Sequence, residues 1–219
     1  MAVSRNLPQT GRDRLNALLL RRMAPLKVVV FLLCLGPLLR LVWFGYSGRL
    51  GANPVEFVTW STGLWALVFL CITLALTPAR RLTGLNACLR LRRMLGLFSA
   101  FYAMLHFLTY VWLDQFFDLG SIVKDIARRP FILVGFIAFL LLMVLAATSP
   151  KAAVRRLGRR WRVLHRAVYA AAILAVLHFW WMKAGKNNIA EPLRYAVIVF
   201  LLLGARFVWA WRERRTAAR

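Results

Sequence analysis

Three histidines carry most of the chemistry available to this 219-residue chain. His106 lies in M-L-H-F-L-T-Y, His165 in V-L-H-R-A-V-Y and His178 in V-L-H-F-W-W, each within a long apolar run. An imidazole at membrane depth is costly unless it is hydrogen-bonded or coordinated, so each is a candidate functional group. The bland alternative is an interhelical hydrogen bond, or for His165 an interfacial contact. Other reactive groups are scarce. All seven acids (Asp13, Glu56, Asp114, Asp118, Asp125, Glu191, Glu213) fall outside the apolar runs, which argues against an ion-coupled carrier. Cys34, Cys71 and Cys88 form neither a CxxC pair nor a disulfide framework. No GxSxG, Walker A or GxGxxG sequence is present, so no nucleophile elbow or nucleotide fold is expected.

The elements that must position these histidines follow from composition. The chain is 61% hydrophobic and only 17% charged, with a mean hydropathy of +0.64. A soluble globule is about half apolar and a quarter charged, so the solvent here is a bilayer. A hydrocarbon core about 30 Å thick needs roughly 20 apolar residues per helix. Six stretches meet that requirement: 28–46, 60–77, 94–113, 131–148, 163–182 and 194–211. The expected fold is an all-α integral membrane protein, a six-transmembrane-helix bundle. Residues 1–27 form an N-terminal segment, 28–211 the membrane domain and 212–219 a basic tail. Pro54, Pro78, Pro130, Pro150 and Pro192 lie in connections or at span ends, whereas Pro37 falls inside the first span and should kink it.

Net charge is +24, from 31 Lys and Arg against 7 acids. One side of the membrane takes the N-terminal segment (Arg5, Arg12, Arg14, Arg21, Arg22, Lys27) and the second connection (Arg80, Arg81, Arg90, Arg92, Arg93). It also takes the fourth connection (Lys151, Arg155, Arg156, Arg159, Arg160, Arg162) and the tail (Arg212, Arg214, Arg215, Arg219). The other side has only Arg49, Lys124, Arg128, Arg129, Lys183 and Lys186. Cytoplasmic loops hold the basic excess, which places both termini in the cytoplasm. Short juxtamembrane clusters need only anionic lipid headgroups as partners, so no nucleic acid is expected. Trp43, Tyr46, Trp60, Trp112, Trp180 and Trp181 fall at the opposite ends, where interfacial anchors sit. No internal repeat is evident.

The third and fifth spans run in the same direction. His106 lies 12 residues beyond Met94 and His178 lies 15 beyond Val163, rises of about 18 and 22 Å. Two neutral imidazoles at one depth on facing helices can clamp a planar heme iron. A structural zinc would want four nitrogen or sulfur ligands, which this carboxylate-free, thiol-poor region lacks. His165 lies about 20 Å deeper and is placed to serve a second redox centre. Two bis-histidine hemes would need four histidines, so that centre must use another partner. Met94 is a possible axial ligand there, and Arg92 and Arg93 suit heme propionates or a flavin phosphate. For both arginines, topology-setting surface charge is an equal alternative. Arg40 either snorkels to the headgroups or binds propionates of the outer heme, and snorkelling is the expected role of Arg206 too.

Several segments then resemble a known family. They are Leu157–Trp161 (L-G-R-R-W) with Leu164-His165-Arg166 and Tyr169, Gly51–Glu56 (G-A-N-P-V-E), and Thr62-Gly63 with Trp65-Ala66-Leu67. Thr77-Pro78 and Arg92-Arg93 with Leu95-Gly96-Leu97 complete the set. Together they are similar to the MsrQ (YedZ) family, heme-binding membrane subunits of periplasmic methionine-sulfoxide reductase systems, within the ferric-reductase-like superfamily. The resemblance covers residues 25–212. It implies electron transfer across the bacterial inner membrane, from the quinone pool through heme b and FMN. The acceptor it implies is a periplasmic molybdopterin-containing catalytic subunit that repairs oxidised methionines in envelope proteins. The family's histidine positions match His106, His165 and His178. Relatives often carry a histidine shortly before the Thr-Gly of the second span, where this chain has Trp60-Ser61. Two alternatives remain open: a ferric-reductase-like cytochrome b serving another extracytoplasmic acceptor, and a heme-free scaffold or carrier.

Overall fold

The computed structural model describes residues 11–185 and 188–217; Arg5, Lys186 and Arg219, used in the charge distribution, lie outside the described residues. Among the described residues every regular element is helical. Six stretches of 18 to 30 residues are long and apolar enough to cross a membrane. They are α2 (Met23–Tyr46), α3 (Pro54–Thr83), α4 (Arg92–Thr109) with its flanking turns, α6 (Pro130–Ala147), the pair α8 (Arg159–Leu164) and α9 (Ala167–Ala184), and α10 (Ala190–Ala217). Three helices outside the expected spans complete the chain: α1 (Gly11–Arg21), α5 (Leu119–Arg128) and α7 (Lys151–Leu157). The six-span expectation therefore holds.

Helix starts and stops follow local chemistry. Pro54 and Pro130 occupy first-turn positions, where a missing N–H costs nothing. The Asn53 side chain caps α3 by accepting from the Glu56 N–H at 3.1 Å. Asp118 caps α5 through the N–H groups of Gly120 and Ser121. The Ser121 hydroxyl and these backbone donors hold the Asp118 carboxyl below the usual range. Gly158, at φ +53°, separates α7 from α8 inside the L-G-R-R-W motif, a conformation that an L side chain would strain.

Packing is concentrated between α3 and α4 and between α6 and α9, with α10 laid against α9 and α3. Leu70, Leu74, Ser99, Tyr102, Ala171 and Ala172 are almost fully buried at these contacts. Small residues allow the close approach that replaces the hydrophobic drive absent in lipid. Large apolar side chains such as Leu33, Phe200 and Phe207 face outward, as lipid-exposed residues do.

Two prolines lie inside helices and draw on bonds from other helices: Pro37 within α2, and Pro78, expected at a span end but set within α3. Beside Pro37 the Leu38 N–H donates to the Tyr102 hydroxyl at 3.1 Å, and that hydroxyl donates to the Cys34 carbonyl at 2.8 Å. A straight helix would join Leu38 to Cys34 directly, so a side chain from α4 is inserted into the ladder. Tyr102→Phe should strand one buried donor and one acceptor, at a cost of about 1–3 kcal/mol. A lower Tm of the purified protein in detergent is the expected result. Pro78 likewise cannot donate to the Leu74 carbonyl one turn earlier, and Arg206 of α10 supplies the missing bond through Nη2 at 2.5 Å. Arg206 thus points into the bundle, which corrects the snorkelling expectation.

Candidate functional site

α4 and α9 bring His106 and His178 together, with ring centres 6.1 Å apart and planes at 71°. The rings share one wall of a cavity of about 280 Å³. His106 Nδ1 lies 2.8 Å from the Thr59 carbonyl on α3, and His178 Nδ1 lies 2.7 Å from the Phe131 carbonyl on α6. A carbonyl only accepts, so both Nδ1 atoms must carry the proton. In each neutral ring Nε2 is then left with its lone pair free. This is the arrangement by which proteins orient metal-binding histidines.

The two halves repeat each other. In both, the accepting carbonyl lies 47 residues before the histidine. In both, a glycine one helical turn after that carbonyl faces the imidazole. A Cβ on Gly63 would come within 2.9 Å of His106 Nδ1, and one on Gly135 within 2.6 Å of His178 Nδ1. The helices α3 and α6 leave just enough room for a ring to lie flat against bare backbone. In the sequence the repeat amounts to a glycine 43 residues before the histidine of each Leu-His-Phe, because its other shared element is a main-chain carbonyl.

The remaining lining is almost wholly apolar, with Leu67, Leu70, Phe107, Phe139, Leu142 and Ala175 among its residues. Phe107 and Phe139 stack with centres 4.5 Å apart. Polar groups reach the cavity at one end, where Tyr110, Asp114 and Arg129 line it. Arg129 is paired with Asp125 at 3.3 Å, and Gln115 donates to the same carboxylate at 3.3 Å. Sequence reasoning did not single out Gly135 or this polar rim; the high amphipathicity of α5, with Ile122 and Ile126 turned inward, was the available signal.

The donor set suits an iron porphyrin. An imidazole nitrogen binds such a metal at about 2 Å and the ring centre lies a further ~1 Å behind, so rings sharing one iron are centred about 6 Å apart. The observed separation meets this. Among the described residues no group of three or more His, Cys, Asp and Glu clusters as a metal cage, which leaves the imidazole pair as the candidate donor set.

His165 stands apart, at a break between α8 and α9. Trp161 stacks on it with centres 4.0 Å apart, and the Trp161 indole N–H donates to the Thr148 carbonyl at 2.9 Å. His165 Nε2 lies 3.1 Å from the Thr148 hydroxyl. That hydroxyl already donates to the Val144 carbonyl at 2.7 Å, so Nε2 is the donor and Nδ1 keeps the lone pair. Arg92 acts on the ring electrostatically, whereas Arg93 is exposed and Met94 packs against the core. Arg40 is exposed, with its guanidinium 5.3 Å over the Phe44 ring, and is not among the cavity-lining residues. Trp60 lines the cavity and its indole N–H donates to Glu191 at 3.4 Å.

Comparison with known proteins places the architecture in a class: residues 62–176 match the family described as ferric reductase like transmembrane component. Among curated proteins, the protein-methionine-sulfoxide reductase heme-binding subunit MsrQ of Ralstonia nicotianae is 57% identical over 193 residues, 88% of this chain and 89% of that protein. The MsrQ proteins of Bordetella parapertussis and Herminiimonas arsenicoxydans are 55% and 53% identical, over 91% and 86% of this chain and 96% and 87% of their own lengths. This chain belongs to the MsrQ family. No solved structure matches it.

Proposed function

We propose that this chain is the membrane electron conduit of a protein-methionine-sulfoxide reductase system, with heme b held between His106 and His178. The carrying observation is the imidazole pair, each ring anchored through Nδ1, with centres 6.1 Å apart at one cavity. The naming of its relatives as heme-binding subunits supports the same reading. Heme bound there supplies a one-electron couple. The residues of the chain do the rest. Thr59 and Phe131 fix the tautomer, Gly63 and Gly135 make room for the rings, and the apolar walls exclude water.

In this reading the basic end of the bundle faces the cytoplasm, both termini included, and the membrane is the bacterial inner membrane. Electrons enter at that end from the quinone pool, with FMN as a further carrier. They leave at the opposite end to a periplasmic molybdopterin-containing subunit, which performs the sulfoxide chemistry. His165, with Arg92, Arg93 and Met94 on the neighbouring span, belongs to a second centre near the inner face.

A pyridine hemochrome assay with protein quantitation tests the reading. At least one heme per chain is expected, with a Soret band that shifts on dithionite reduction. A colourless, fully folded protein would refute it. His165→Ala should keep the signal of the His106–His178 heme while slowing quinol-driven reduction severalfold or removing a second spectral component. If spectrum and reduction rate both match the parent, His165 is only a strut between Trp161 and Thr148.

A further inference from the structure

On the side opposite the basic loops, α5 joins the end of α4 to the start of α6 and presents three different faces. At about 100° per residue, Ile122 and Ile126 share one face, Leu119, Val123 and Ala127 the next, and Lys124, Arg128 and Ser121 the third. The first belongs to the bundle, since Ile122 is buried and Ile126 lines the cavity. Asp125 falls between the third face and the first, and turns to Arg129 at 3.3 Å. The third face is polar and exposed. The second is apolar and uncovered, with Leu119 74% and Val123 67% exposed. The turn that leads into α5 extends this face with two aromatic rings. Phe116 and Phe117 are 81% and 58% exposed, and both have left-handed backbones, at φ +47° and +61°. Their turn closes the preceding helix through the Phe117 N–H, which donates to the Val111 carbonyl at 2.9 Å.

A left-handed turn at a helix end is ordinarily the place of glycine or asparagine, because a Cβ there crowds the following carbonyl. Here two phenylalanines bear that strain, and their exposed rings gain little packing within the chain to offset it. The order of faces round α5 supplies the missing partner. Bundle, apolar face and polar face follow one another as they must on a helix lying in the plane of a membrane interface, with protein beside it, acyl chains below and water above. Both ends of α5 are tied to spans, which keeps it at that level. In water the four large side chains would form one uncompensated patch. Lys124 and Arg128, on the opposite face, complement lipid phosphates. We infer that Phe116, Phe117, Leu119 and Val123 form a lipid-binding surface, inserted at the headgroup–acyl boundary of the leaflet opposite the basic loops. The lipid holds α5 down over the polar end of the cavity, which Ile126 and Arg129 line. This surface needs the six spans but not the heme at His106 and His178.

The experiment uses the full-length protein with Cys88→Ser, since Cys34 and Cys71 are buried and Cys88 is not. It carries one nitroxide label, at Val123→Cys or at Lys124→Cys, the neighbouring residue on the polar face. In nanodiscs of phosphatidylethanolamine and phosphatidylglycerol, collisions with molecular oxygen, which concentrates in lipid, are compared with collisions with a water-soluble nickel chelate. The ratio of oxygen to nickel access should be at least severalfold higher at 123 than at 124. Equal ratios would place the apolar face in water and overturn the inference. So would a label at 123 that neither reagent reaches, because a second copy of the chain would then cover the face. A label at 123 that is open to nickel, and shielded only when the catalytic subunit is added, would also overturn it and give the face to that partner. The second measurement uses Phe116→Asn together with Phe117→Asn, which keeps a left-handed turn that asparagine accepts and removes both rings. Hydrogen exchange of the amides of residues 119–128 should quicken at least severalfold, with the six spans still protected. Unchanged exchange would mean that the rings hold nothing, and the inference would fall. Neither readout involves heme, so a colourless protein would count against the proposed function alone.

Discussion

His178→Ala, and separately His106→Ala, should abolish the low-spin heme spectrum of the purified protein and lower its heme content at least tenfold. The expectation rests on the shared geometry of the two rings. Each presents one free Nε2, and the ring centres are 6.1 Å apart, the separation that two imidazoles sharing one metal require. Among the described residues no further His or Cys lines the cavity; Met182 does, but a thioether in place of an imidazole would still abolish a bis-imidazole spectrum. Loss of either imidazole would remove one of the two groups that would hold the iron, and should cost at least the ten- to hundredfold that loss of a supporting group costs. The decisive control is the fold. An alanine at either site removes a hydrogen bond to one carbonyl, Thr59 or Phe131, that already lies within a helix. Yield and Tm of the apo-protein should stay close to those of the heme-stripped parent. A variant that kept full heme with an unchanged bis-imidazole spectrum would show that the two rings do not share an iron.

The spans and the depth of the histidines were legible in the sequence, because bilayer thickness and helical rise are fixed quantities that an apolar run has to satisfy. His106 and His178 could be brought to one level by counting residues, and the structure seats them together. What counting could not supply was how each ring is oriented, since the groups that do this are main-chain carbonyls and glycines. Gly63 was visible only as part of a Thr-Gly motif, and Gly135 sat unnoticed in a run of large apolar residues. Arg206 was misjudged for a related reason. A basic residue near a span end reads as a headgroup contact, and nothing local reveals that Pro78, on a helix more than a hundred residues away in sequence, has left a carbonyl open. Arg40 carries the opposite lesson: the same kind of residue, near the opposite end of another span, does lie exposed, over Phe44. The amphipathic α5 was missed because it is too short to register as a span and too far from the histidines in sequence to draw attention.

Gly135→Ala should cost nearly as much heme as loss of a ligand, although it adds one methyl group and touches no coordinating atom. The added Cβ would lie 2.6 Å from His178 Nδ1 and 2.8 Å from Cε1, inside any permissible contact. The imidazole would have to swing away, breaking its bond to the Phe131 carbonyl and withdrawing Nε2 from the shared point. Loss of such a supporting contact typically weakens metal binding ten- to hundredfold. Ordinary helix energetics predict the reverse sign for stability, because alanine is favoured over glycine by about 1 kcal/mol within a helix. The variant should therefore be folded, at least as thermostable in its apo form, and poor in heme. Gly63→Ala, with its nearest approach at 2.9 Å, should follow the same pattern more mildly. Gly96→Ala is the matched control, since its Cβ would meet only Thr73, Cγ2 at an ordinary 3.6 Å and Oγ1 at 4.0 Å, and should leave heme content unchanged. Equal heme in Gly135→Ala and Gly96→Ala would mean that His178 is not held against α6 when the protein is loaded. The tautomer argument for its free Nε2 would then fail with it.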